Sequence, residues 1–473
     1  MAMCKSAPVV PLLRHLLLAG AAFAVVYAPG APISTLGIEA SAQNMPPVFQ
    51  RNDRDGDGRL SKREFPGPPQ VFDRLDADNS GYLTPQEVRR GGRRGGSRTD
   101  AQGQSGRQQG GQRSAGDTAL PATTRKGPLR FVDTHIHLHQ LGLDKTHGNQ
   151  GGGREQGRRE PMDEAANLAA AARNLIARMD QQRLQTALIV VVPSSREGRA
   201  QSYHLMRNAV RDHPGRLRLL AGGSLLGEML VELPAGAVTD DVKQRFRKTA
   251  EKLLDDGAAG FGEMISYHLC MNPKHKFEYV PPNHPLFLEL ADIAAEQNVA
   301  IDLHMEAIET RADMPGNLRR RCSKNPGTLE PTIPGLEELL RHNRKARIVW
   351  EHIGWDNTGQ MTPSLMRRLL QSHTNLYLSL RVPRQLQSKD GRVFPNRIVD
   401  LDRRIKPDWL RLITEFPDRI MLGADEFVGP GPEKAKLAAS FESTWAIIDQ
   451  LPKDIAAKIG GDNARRVFNL TPP

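Results

Sequence analysis

At 473 residues the chain is too long for one ordinary small domain and leaves room for a barrel of about 250 residues with appendages. Its 38% hydrophobic and 25% charged residues fit a soluble globular protein diluted by a polar segment. The net charge of +11 would suit nucleic acid or an anionic surface, but nine Arg and one Lys against two Asp between Arg89 and Arg130 supply +8 of it. That stretch has no interleaved aromatics, which argues against a nucleic-acid partner.

The first 42 residues read as an export signal. Lys5 and Arg14 precede or flank the apolar run Leu16–Tyr27, and Ala40-Ser41-Ala42 offers a small-residue cleavage site. The run is short for a membrane span of about 20 residues, so the mature chain is expected to start at Gln43 without a transmembrane segment. A periplasmic or secreted location follows. Cys4 lies before the apolar core, which leaves Cys270 and Cys322; export permits a disulfide, but the expectation is two thiols.

Residues 43–88 hold two acidic loops. Asp53, Asp55, Asp57, Gly58, Leu60 and Glu64 occupy positions one, three, five, six, eight and twelve of the first. Asp76, Asp78, Ser80, Gly81, Leu83 and Glu87 repeat the pattern. Early oxygen ligands, a turn glycine and a closing Glu are what a calcium loop needs, with Arg59 and Tyr82 supplying carbonyls. The segment resembles a paired EF-hand, a small α-helical module, although Pro46-Pro47 and the prolines at 66–69 leave little helix around the first loop. A structural or low-affinity calcium clip is expected. Residues 89–127, rich in Gly, Arg, Gln and Ser, read as a disordered linker.

From residue 128 to 473 strands and helices alternate. LRFVDTHIHL, TALIVVVPS, LRLLAGGSL, AAGFGEM, AIDLH, RIVWEHIG, NLYLSL and RIMLGADEF read as eight strands separated by amphipathic helices. Six candidate ligands lie at the ends of five of these runs: His135 and His137, Glu263, His304, His352 and Asp425. Residues two apart on a strand share a face, so His135 and His137 point the same way. A closed (β/α)8 TIM barrel, of class α/β, gathers such ends at one mouth where an open sheet would scatter them.

The order of these residues resembles the amidohydrolase superfamily, and LGADEF with IGGDNARRVFNL resembles its amidohydrolase-related branch. The resemblance implies a metal-dependent hydrolase acting on an ester, lactone, amide or phosphoester. It implies His135, His137 and Asp425 on one divalent transition metal, with zinc the first choice, and His304 and His352 on a second, bridged by Glu263. Asp425 would carry the proton of the attacking water; with one metal, Glu263 would orient the water and His352 would act as acid or electrophile. Many members carry a carboxylated Lys after strand four, so GFGEM is closer to the TatD-like deoxyribonuclease branch, where a Glu bridges two metals. Decarboxylase relatives generally use one metal, so non-oxidative decarboxylation of an unsaturated or aromatic acid is the alternative. A calcium-dependent binding protein with an inactive barrel is another. The expected partners are a small-molecule substrate and calcium ions, and homo-oligomerisation is left open. Glu306, Glu351, His268 and Arg381 also lie near strand ends, and Arg381 has the chemistry to clamp a carboxylate or phosphate. His139 continues the alternation but is expected above the metal or in the loop, outside the ligand set, and the Gly-, Arg- and His-rich insert at 140–160 is expected to help select the substrate.

Overall fold

In the computed structural model, the residues described are 52, 59–67, 69–76, 80–84, 87–88, 125–138, 164–191, 199–271, 276–388, 391–431 and 440–471. The expected signal peptide, most of the linker, His139, the 140–160 insert and Asp53, Asp55, Asp57 and Asp78 lie outside them.

Among the described residues nine strands form the curled path of the main sheet: β1 (Phe131–Leu138), β2 (Leu184–Val190), β3 (Leu217–Gly222), β4 (Gly260–His268), β5 (Ala300–Met305), β6 (Arg347–Ile353), β7 (Leu376–Leu380), β8 (Ile420–Leu422) and β9 (Glu426–Val428), and a short tenth, Glu278–Tyr279, pairs antiparallel with the end of β4. The order of the nine is β8-β7-β6-β5-β4-β3-β2-β1-β9, parallel throughout. The two ends of that list are consecutive in the chain. Gly423–Asp425 interrupts the eighth strand of the barrel, so its first half pairs with β7 and its second half with β1. The sheet therefore closes through one broken strand. The seam is stitched by Thr134 Oγ1 donating to the Leu422 carbonyl (3.1 Å) and by the Asp425 amide donating to the His135 carbonyl (2.9 Å). Gly423 is required there: a Cβ would come within 2.4 Å of Ser379 Oγ.

The seven longest helices among the described residues cover the outside: α1 (Glu164–Gln182), α2 (Arg199–Arg211), α3 (Asp240–Asp255), α4 (Pro285–Glu296), α5 (Ile333–His342), α6 (Pro363–Ser372) and α7 (Pro407–Glu415). Their boundaries follow local chemistry. Thr239 caps α3 by accepting from the Val242 amide (3.3 Å), with Asp240 and Asp241 in its first turn. Val242, Phe246, Ala250 and Leu253 form its buried stripe. Thr362 caps α6 in the same way, and Pro363 opens it. Inside the barrel, Val132, Leu188, Leu220, Ala300, Val349 and Met421 make an apolar floor, sealed by Val467 and Phe468 of the last helix. Polar chemistry is left to the opposite end.

Cys270 and Cys322 correct the expectation of two thiols: they form a disulfide, with Cα atoms 5.8 Å apart across 52 residues. Asn325 shows why they meet. Its side chain accepts from the Cys270 amide (2.8 Å) and donates to the Cys270 carbonyl (2.9 Å), clamping the exit of β4 to the loop after β5. Nothing local in the sequence signals that convergence.

Near the N-terminus, Leu60–Ser61 pairs antiparallel with Tyr82–Leu83. Leu60, Leu83 and Phe72 make a small core, and Phe72 meets Phe65 edge to face with ring centroids 5.5 Å apart. The first exiting helix is cut to a turn at Ser61, and Pro69–Leu75 is the helix that enters the second loop.

Candidate metal centre

Three of the candidate ligands stand where the strand register slips by one residue. Between β1 and β2 the slip falls between Asp133 and Ile136, around His135; between β4 and β5 it falls between Phe261 and Met264, around Glu263. Between β6 and β7 it falls between Trp350 and Ile353, around Glu351 and His352. Such bulges break the in-out alternation and re-aim side chains. His352 has φ +62°, and Asp425, in the break of the eighth strand, has φ +49°. Left-handed backbone at non-glycine residues costs free energy, and such positions cluster at functional sites.

These irregularities bring all six candidates together. His135 Nε2 and His137 Nε2 face each other at 3.2 Å. Asp425 Oδ1 lies 3.1 Å from His137 Nε2 and 3.9 Å from His135 Nε2. On the other side, Glu263 Oε1 is hydrogen-bonded to His304 Nδ1 and lies 3.3 Å from His352 Nε2. Glu263 also faces the first group, with Oε1 4.0 Å from His135 Nε2 and Oε2 3.8 Å from His137 Nε2. Donors around one tetrahedral ion at about 2.0–2.2 Å are spaced roughly 3.3–3.6 Å apart. The nitrogen and oxygen set fits a borderline divalent ion in both chemistry and spacing.

Protonation follows from the surroundings. Burial would push the Glu263 carboxyl up, but His304, His352 and His135 together hold it well below the usual carboxylate range. Asp425 is likewise held far down against burial, by the Arg381 guanidinium, His352 and His137. Burial pushes His352 down to about 3, so its imidazole is neutral at physiological pH, the form that binds metal. His304 is raised instead, because Glu263 outweighs burial.

Behind the site stands a set that the sequence reading left out or named without a role. Asp302 Oδ2 is 3.1 Å from His135 Nδ1, and Glu351 Oε2 is 3.7 Å from the same atom. Burial raises both carboxyls well above their usual range; Asp302 raises Glu351 further, while Glu263 and Asp425 raise Asp302 against a lowering hydrogen bond with Glu351. An imidazole whose Nδ1–H faces a carboxylate turns its Nε2 lone pair to the site, the usual support of a metal-binding histidine. Asp302 was findable: it is two residues from His304 on β5, by the rule that joined His135 to His137. Asp133, two residues before His135 on β1, was findable by the same rule: its carboxylate accepts from the His135 and Ala424 amides (3.1 Å each) and from Trp445 Nε1 (2.7 Å), pinning β1 to the seam.

The remaining strand-end residues divide. Arg381 Nη1 lies 2.5 Å from Asp425 Oδ2, which puts it in the site. Glu306 Oε1 accepts from Asn357 (2.7 Å), and burial pushes its carboxyl up to about 7. The His268 ring lies 5.1 Å from that of His304, and its Nδ1 faces the Lys276 carbonyl. In the calcium loops, Asp76 accepts from the amides of Ser80 (2.9 Å) and Gly81 (3.0 Å). Glu64 and Glu87 each accept from the amide and hydroxyl of the residue three before them, Ser61 and Thr84. Ser80 Oγ donates to the Tyr82 carbonyl at 3.0 Å, and Arg59 lies in the bend before Leu60.

Residues 231–470 match the amidohydrolase family model, and residues 47–65 and 70–91 match the EF-hand model. The chain belongs to the amidohydrolase family and is a metal-dependent enzyme of that superfamily carrying an EF-hand calcium module. The amidohydrolase match contains Glu263, His304, His352 and Asp425, and begins after His135 and His137. No curated protein matches the chain. Among solved structures it is similar to a 5-carboxyvanillate decarboxylase from Sphingomonas paucimobilis, at 13% identity and TM-score 0.39, covering 72% of this chain and 100% of that one. It is also similar to a mutant organophosphorus hydrolase from Deinococcus radiodurans, at 15% identity and TM-score 0.38, covering 75% and 96%. A β-aspartyl dipeptidase from Fervidobacterium islandicum is similar at 14% identity and TM-score 0.37, covering 72% and 75%.

Proposed function

We propose that the chain is an exported hydrolase that uses metal-activated water on an ester, lactone, amide or phosphoester, with the calcium module as an accessory. The observation that carries this reading is Glu263, whose Oε1 lies 3.3 Å from His352 Nε2 and whose Oε2 lies 3.8 Å from His137 Nε2. A carboxylate facing both histidine groups is placed to bridge two ions. His135, His137 and Asp425 would hold one, and His304 and His352 the other. Zinc suits the donor set best.

A bound divalent ion supplies a Lewis acid and a water with a pKa near neutrality. Asp302 fixes the His135 tautomer, and Asp425 takes the proton of the attacking water and returns it to the leaving group. The Cys270–Cys322 disulfide and the N-terminal signal pattern both support export, since disulfides persist in oxidising compartments. On the same reading, residues 43–88, 89–127 and 128–473 are calcium module, tether and catalytic barrel.

Elemental analysis of the full chain beside Glu263→Gln tests the proposal. Two transition-metal ions per chain, falling to one or fewer in the variant, with turnover on a panel of esters, lactones and phosphoesters, is the expected result. One ion indifferent to Glu263→Gln, with carbon dioxide released from an aromatic acid, would replace hydrolysis by decarboxylation. No transition metal after reconstitution would leave a binding protein with an inactive barrel.

A further inference from the structure

We infer that Arg381 is the anion-recognition residue of this site, so that the substrate carries a carboxylate close to the bond that reacts. The inference rests on the metal-centre reading above, because it requires Asp425 to be shared with an ion. Arg381 directly follows β7, and its side chain is 12% exposed. The Asp425 carboxylate is divided: Oδ1 lies 3.1 Å from His137 Nε2, while Oδ2 lies 2.5 Å from Arg381 Nη1. A divalent ion on Oδ1 draws charge from the carboxylate and weakens its pairing with the guanidinium. A substrate carboxylate restores what is lost, beside the metal-facing atoms.

The guanidinium is pre-set for that task. Its Cζ lies 4.4 Å from the centroid of the Trp355 ring, and Arg397 lies over the same ring at 4.9 Å. The ring contact holds the Arg381 guanidinium in place, and a planar fork matches a carboxylate better than a point charge does. Arg397 is buried and donates to the Gly354 carbonyl (3.0 Å), so it adds positive charge behind the indole without reaching for Asp425. Two guanidiniums lie against one indole beside the metal site, and the residue that joins this pair to the ligand cluster is Arg381.

Calorimetric titration of the metal-loaded full chain with benzoate, phenylphosphate and benzamide tests the inference, with metal content measured on the same samples. Wild type should bind benzoate at least about 10-fold more tightly than benzamide. Arg381→Gln should lose that preference at unchanged metal content, and Arg381→Lys should keep part of it. Tighter binding of phenylphosphate than of benzoate would overturn the assignment of a carboxylate. Equal binding of benzoate and benzamide by wild type, or a preference that survives Arg381→Gln, would overturn the role of Arg381. A preference lost together with the metal would make Arg381 a positioning residue for Asp425 and would overturn it as well. A wild-type chain that takes up no metal but shows an Arg381-dependent preference would sink the metal reading and leave the anion site standing.

Discussion

In each EF-hand loop the residues expected to hold calcium lie within twelve positions of each other, whereas the barrel's candidate ligands run from His135 to Asp425 and meet only once the sheet has curled. Glu64 and Glu87 bond to residues three positions away, while Asp425 bonds across most of the barrel sequence to His135. The first kind of site depends on local turn geometry. The second depends on register, because a strand shifted by one residue turns each of its side chains to the other face. Damage to the two regions should therefore differ in size and reach.

The largest effect is expected from Asp425→Asn and His135→Ala. Each should lower kcat/KM on a confirmed substrate by about 10³-fold or more, because each removes a group aimed at the reacting atoms. Calcium content should stay constant. Wild-type turnover in both variants would end the metal mechanism.

Asp302→Asn should act more mildly, weakening barrel metal affinity by about 10–100-fold through the orientation of His135. Competition against a chelator reads this directly, and an unchanged affinity would remove Asp302 from the site's support. Asp76→Ala should have the smallest reach, lowering calcium stoichiometry by one ion and leaving the metal content of the barrel as it was. A coupled loss of both would erase the distinction between local and long-range sites.

The same distinction governs what could be read from residues alone. The EF-hand loops and all eight strand-like runs were legible, because spacing within twelve residues and apolar alternation are local signals. The positions of the six candidate ligands were legible as strand ends. Their aim was not: the bulges at His135, Glu263 and Glu351–His352 exist only relative to a neighbouring strand. Regular alternation would send Glu351 and His352 to opposite faces, and the bulge is what turns both inward, with Glu351 3.7 Å from His135 and His352 3.3 Å from Glu263. The disulfide was missed for the same reason. Its partners meet only because two mouth loops converge, 52 residues apart in the chain.

The broken eighth strand has a consequence in time. Its two halves join the first and seventh strands, so the ring cannot close until residues 420–428 have been made and threaded between them. Every histidine of the site precedes that stretch in synthesis, and Asp425 lies within it. A nascent or truncated chain that stops short of this stretch thus lacks Asp425 and the seam that joins the eighth strand to the first. Completion of the fold and completion of the candidate site become one event.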